Sequence, residues 1–219
     1  MKELLFNEGQ NLKEVLCEIS EYIYHNPELG NQEFKSSEKL ISFLEEHNFI
    51  VEREFLGLKT AFRAVYDSNK PGLTVGYLCE YDALPEIGHG CGHNMIGTMS
   101  AGAGVILSKI LDQVGGRVIV YGTPAEETDG AKVIFAEQGV FEELDAAMML
   151  HPSDKTCASG TSTAIYPLQF RYKGKNAHAA SCPQDGINAL NSVIQLFNGI
   201  DALRQHVTPD VRMHGIITN

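Results

Sequence analysis

The sequence predicts an α/β protein: a mostly parallel sheet with helices on both faces, followed by part of a smaller α+β domain. Three observations carry this. Apolar runs that read as buried strands recur at 73–82, 117–123 and 146–151. Helix-like segments at 95–111 and 130–141 separate them, and a strand–helix–strand order favours parallel pairing. Polar clusters then close each run, as "EYDALP", "TPAEE" and "HP". In open α/β sheets, sites form just beyond the carboxyl ends of the strands.

The remaining elements follow in chain order. Leu12, Val15, Leu16, Ile19, Tyr22 and Ile23 recur at helical spacing. Pro27 and Gly30 in "HNPELG" end that helix. A second helix is expected over 34–47, with Leu40, Ile41 and Leu44 inward. "TAFRAVYD" (60–67) alternates like a strand, and "NKPG" turns the chain into the next one. The segment 95–111 is rich in small and apolar residues and suits a buried helix. Near Thr163 the pattern changes. Residues 164–174 and 211–218 read as strands flanking a helix over 185–206. The expected domains are therefore 1–163 and 164–219.

The composition narrows the function classes. The 219 residues are 43% hydrophobic and 21% charged, within the range of globular proteins. A net charge of -11 opposes a nucleic-acid partner, because a phosphate backbone needs a basic face. No apolar run reads as a membrane span, and "MKELLFNEGQNLKEVL" lacks a signal-peptide pattern, so a cytoplasmic location is expected. The five scattered cysteines then read as free thiols or ligands. Cys17, Cys79, Cys157 and Cys182 read as buried or inert. His25, His47, His206 and His214 read as structural or exposed.

The chemistry gathers at the strand ends, in Glu80, Asp82, His89, Cys91, His93, Glu126, Glu127 and His151. Thiolate, imidazole and carboxylate are the ligand types of zinc and similar metals. Cys91 and His93 stand two apart in the glycine-rich "GHGCGHN", which can bend both toward one ion. Adjacent Glu126 and Glu127 point in different directions if extended, so one can ligate while the other faces a metal-bound water. That division suits a metal hydrolase, in which the ion activates water and a free carboxylate moves the proton. The rival is Cys91 as a nucleophile activated by nearby histidines. It leaves Glu126, Glu127 and His151 without a role.

The run "EYDALPEIGHGCGHN", then "TPAEE", "LHP" and "GKNAHAASCPQDGINAL", resembles the two-metal aminoacylase and carboxypeptidase family of amidohydrolases. It is most similar to the p-aminobenzoyl-glutamate hydrolase and β-alanyl-dipeptidase branch. The resemblance implies a metal-dependent amidohydrolase or metallopeptidase that cleaves the amide bond of N-acyl amino acids or dipeptides. It implies two divalent metal ions, zinc or manganese and possibly cobalt. Cys91, His93, Glu127 and His151 would be ligands, Glu126 the general base and acid, and Asp82 a carboxylate that orients the site. His89 becomes a loop-shaping residue. His178 would lie on an inserted lid and dimerisation domain and reach the active site of the other protomer in a homodimer. Family members are much longer and supply a further metal-binding histidine near their C-terminus. The chain therefore reads as an N-terminal portion, completed by a missing C-terminal half. The alternative is a catalytically inactive truncated metal-binding remnant, or half of a split enzyme.

Overall fold

Three long helices form where apolar residues recur every three or four positions. In a computed structural model that describes residues 1–218, α1 spans Lys2–His25, α2 Phe34–Glu46 and α3 His93–Val114. α1 stops at His25, two residues before Pro27, whose ring cannot continue a helix. The N-terminus of α2 is capped by Glu28, whose carboxylate accepts from the backbone N–H groups of Lys35 (3.0 Å) and Ser36 (2.9 Å). Two compact units result, Met1–Lys155 and Thr156–Asn219.

The first unit holds a five-stranded sheet: β1 Ile50–Arg53, β2 Phe62–Asp67, β3 Thr74–Cys79, β4 Arg117–Gly122 and β5 Ala146–Met148, in the order β1-β2-β4-β3-β5. β3 pairs in parallel with both β4 and β5, as the intervening helices require. β2 runs against both β1 and β4, which makes the sheet mixed. β1 was not foreseen. Its "IVER" carries two charged residues at a sheet edge, and charges there also protect an unpaired edge.

Helices cover both faces, and β4 shows how. Val118 and Val120 pack with the buried residues of α1, α2 and α3. Ile119 and Tyr121 point the other way, into a cluster with Ala131 and Phe135 of α4 (Ala131–Glu137). The two-residue period of a strand thus serves two cores, and the central strand reads as an unbroken apolar run. α4 is shorter than the expected 130–141. The chain turns left-handed at Gly139 (φ 70°) and continues as a 3-10 turn over Val140–Glu143.

α3 corrects the reading that no segment is long enough for a membrane: by length and hydropathy this helix meets the requirement. Its core-facing side is buried and carries Asn94, Thr98, Ser100 and Ser108 as well as apolar groups. It lies so close to the end of β3 that a Cβ on Gly97 would stand 2.7 Å from the Glu80 carbonyl oxygen and 3.1 Å from Leu40. Gly97→Ala is therefore expected to cost about 1–3 kcal/mol by overpacking, read from the urea midpoint. A change under about 0.5 kcal/mol would show that α3 can shift away freely.

Three segments read as strands fall short. β5 covers three residues rather than six; it lies at the sheet edge with β3 as its one neighbour, and all three residues are exposed. In the second unit, α5 (Ala189–Leu203) forms as expected, with the Asn188 side chain accepting from Leu190 N–H (3.1 Å). The flanking runs 164–174 and 211–218 form no ladder. Among the described residues of that unit, strand pairing is limited to the Lys175–Ile187 bridge. A strand needs a partner for its backbone groups, and Ile165, Tyr166 and Ile216 stand exposed.

Candidate metal centre

Because β3, β4 and β5 point the same way, their carboxyl ends deliver Glu80–Asp82, Thr123–Glu127 and His151 to one edge of the sheet. The "GHGCGHN" loop closes over that edge and runs into α3. Gly92, the residue before the helix, has φ 79°, a left-handed conformation that glycine adopts without strain. It sets Cys91 just outside the helix and His93 in its first position.

His93 is the hub. Its ring is buried, and Nδ1 donates to the backbone oxygen and the Oδ1 of Asp82, both at 2.9 Å. Nε2 is thereby aimed at Glu80 Oε2 (3.4 Å), Glu126 Oε2 (3.8 Å) and Glu127 Oε1 (3.8 Å). Burial works against a charged ring. The Asp82 hydrogen bond and the charges of Asp82, Glu80 and Glu126 outweigh it and raise the His93 pKa above its ordinary value. Asp82 is tied on both oxygens, since Oδ2 accepts from the Glu127 N–H (3.0 Å). Burial pushes its pKa up, but its bonds to His93 and Glu127 win and hold it low. Glu126 is shifted up by burial and by the neighbouring Glu80.

The ligand-type atoms form two overlapping groups. Those of Cys91, His93 and Glu127 lie within 4.8 Å of one another, and so do those of Glu80, His93 and His151. His151 donates through Nδ1 to the Pro152 carbonyl (2.7 Å), which leaves Nε2 with its lone pair. The His93 and His151 rings stand nearly perpendicular with centroids 6.5 Å apart. Four carboxylates thus surround one imidazole, and the ammonium of Lys132 pairs with Glu80. So much negative charge in a half-buried place is costly without cations, and soft and hard donors sit side by side. The residues present fit divalent metal ions.

The Cys91 thiol speaks against the nucleophile alternative. Its hydrogen bond to Glu127, then partial burial, push its pKa up to about 11. An activated cysteine needs a lowered value and an electropositive setting. A thiol beside carboxylates suits a group that loses its proton on binding a metal.

Seven residues singled out in the sequence therefore meet: Glu80, Asp82, Cys91, His93, Glu126, Glu127 and His151. His89 is buried in the loop, and neither ring nitrogen has a hydrogen-bond partner among the described residues. His178 belongs to the second unit. It is exposed, and its Nδ1 accepts from the N–H groups of Ala180 and Ser181, both 3.2 Å. Sequence reasoning missed Lys132 and Glu33. Lys132 could have been sought as the counter-charge to a crowd of carboxylates. Glu33 lies under the "TPAEE" turn, and its acidic type ahead of a helix masks an inward-facing role.

Comparison with known proteins identifies the family. The model of Peptidase family M20/M25/M40 matches residues 77–213. The Xaa-Arg dipeptidase of Mus musculus is 38% identical, over 94% of this chain and 51% of its own length. A p-aminobenzoyl-glutamate hydrolase chain of Escherichia coli is 36% identical, over 92% of this chain and 46% of its own. The chain spans about half the length of these curated relatives. A solved structure from methicillin resistant Staphylococcus aureus shares the fold, with TM-score 0.70 and 21% identity over 95% of this chain and 59% of that one. So does a dinuclear metal binding peptidase from Bacillus subtilis, with TM-score 0.56 and 24% identity over 63% of this chain and 42% of that one. With its strand-end ligand groups in place and more than half of its length matched, the chain belongs to peptidase family M20/M25/M40.

Proposed function

We propose that this chain carries the metal-binding part of an amidohydrolase that cleaves N-acyl amino acids or dipeptides. The observation that carries the reading is the pair of three-residue ligand groups sharing His93. Relatives named as an Xaa-Arg dipeptidase, a p-aminobenzoyl-glutamate hydrolase and an N-acetyl-L-cysteine deacetylase support it, since each substrate class holds an amide bond.

Cys91, His93, Glu127 and His151 are the proposed ligands, with zinc or manganese favoured and cobalt also suited to the donor set. When bound, two such ions would supply Lewis acidity to the substrate carbonyl and lower the pKa of water. The chain's own residues do the rest. Asp82 fixes the tautomer and direction of His93 through its 2.9 Å bond. Glu127 is held through its own N–H, while Glu126 keeps an exposed carboxylate that takes a proton from water and gives it to the leaving amine. The second unit is proposed as a lid that forms a homodimer, supported by exposed apolar groups such as Ile194 and Leu203 on α5. His178 would there stabilise the developing oxyanion across the dimer.

The test is metal removal and return. Hydrolysis of p-aminobenzoyl-glutamate and of dipeptides ending in arginine is expected to stop on chelation and to resume with Zn²⁺, Mn²⁺ or Co²⁺. Activity that survives complete removal of metal would overturn the reading. Metal binding without turnover would instead identify the chain as the metal-binding remnant or one half of a split enzyme.

A further inference from the structure

Glu33 is fully buried and forms no ion pair among the described residues. It stands just before α2, where a side chain ordinarily caps the helix. Glu28 has taken that task, and Glu33 turns inward. One oxygen accepts from the Ala125 N–H (2.7 Å), the other from the Thr60 hydroxyl (2.9 Å). Thr60 is itself held, since its carbonyl accepts from the Tyr81 hydroxyl (2.6 Å). A carboxyl group this deep is costly unless its bonds are used.

What it holds is the turn bearing the two glutamates. Ala125 has φ 60°, a left-handed conformation unusual for alanine. Its carbonyl accepts from Gly130 N–H (2.7 Å) and Thr128 N–H (3.2 Å), so the turn is built around this residue. Glu126 follows directly, and the next N–H, that of Glu127, goes to Asp82. The glutamate pair thus hangs between two carboxylate anchors, Glu33 at position 125 and Asp82 at position 127.

We propose that Glu33 is a positioning residue. It acts through the Ala125 N–H to fix the turn that aims Glu127 at the metal and Glu126 at the substrate side. The proposal rests on the metal-centre reading above. It assigns Glu33 a hydrogen-bonding role set by reach, with its charge dispensable.

Two variants of the full chain separate reach from charge, with Co²⁺ alone as the probe. Glu33→Gln keeps the length and can still accept from Ala125 N–H. Glu33→Asp keeps the charge and is one methylene short. Co²⁺ affinity is read by titrating the thiolate-to-cobalt absorption band, with circular dichroism and urea midpoints run on the same samples. Glu33→Asp is expected to weaken Co²⁺ binding by about 10–100-fold, the range for residues that orient ligands, and to alter the visible spectrum at saturation. Glu33→Gln is expected to keep wild-type affinity and spectrum. Wild-type binding by Glu33→Asp, or Glu33→Gln as weak as Glu33→Asp, overturns the positioning role and leaves the metal centre standing. A wild-type chain that binds no Co²⁺ overturns both.

Discussion

A Glu126→Gln variant is expected to load metal like the wild type and to hydrolyse amides about 10²–10⁴-fold more slowly, the usual contribution of a positioned proton-transfer group. The geometry separates Glu126 from its neighbour. Glu127 belongs to a compact ligand group with Cys91 and His93, and its backbone is tied to Asp82. Glu126 belongs to neither ligand group, and its side chain is 40% exposed, open to water and substrate. The amide of glutamine has nearly the same size and can occupy the same place, but it cannot take up a proton. The check is paired: metal content by elemental analysis and turnover on one preparation. Turnover near wild type would remove Glu126 from the proton-transfer role. Loss of metal together with turnover would make it a ligand.

The second large effect is expected at His93. Both candidate ligand groups include it, so His93→Ala should empty both, with metal affinity falling by more than the roughly 100-fold upper range for residues that only orient ligands. Glu127→Ala removes a donor from one group alone and should cost less. The ordering of these two variants in competition against a chromophoric chelator is the informative result. Equal losses would mean that the two groups fill independently of their shared imidazole. His93→Ala also leaves Asp82 Oδ1 without its imidazole partner in the interior, so the metal-free variant should be less stable than the metal-free wild type.

Much of the site was legible because it obeys local rules. Glu80, Asp82, Glu126, Glu127 and His151 follow apolar runs that end abruptly, and parallel strands bring such ends together. Cys91 and His93 are two apart, so a single turn suffices to relate them. The helices α1, α2 and α3 were readable for the same reason, since 3.6-residue periodicity is a property of neighbours. Glu33 was not legible. Its contact with Ala125 joins residues 92 positions apart, and no spacing rule reaches that far. β1 was hidden by its charged residues, which an edge strand tolerates. The runs 164–174 and 211–218 mislead in the opposite sense. Their alternation is strand-like, but alternation describes a face and supplies no neighbour to pair with.

The sheet order has a consequence for how the protein comes to be itself. β2 and β3 are successive in the sequence, yet β4 lies between them, with Phe62 opposite Gly122 and Thr74 opposite Arg117. β2 and β3 are therefore joined only through a strand some forty residues further along the chain, and such distant pairing is slow to form. The "TPAEE" turn follows β4, so Glu126 and Glu127 reach His93 through the pairing of β4 with β3. The centre is thus a product of the whole sheet, complete only when strands distant in the sequence lie side by side.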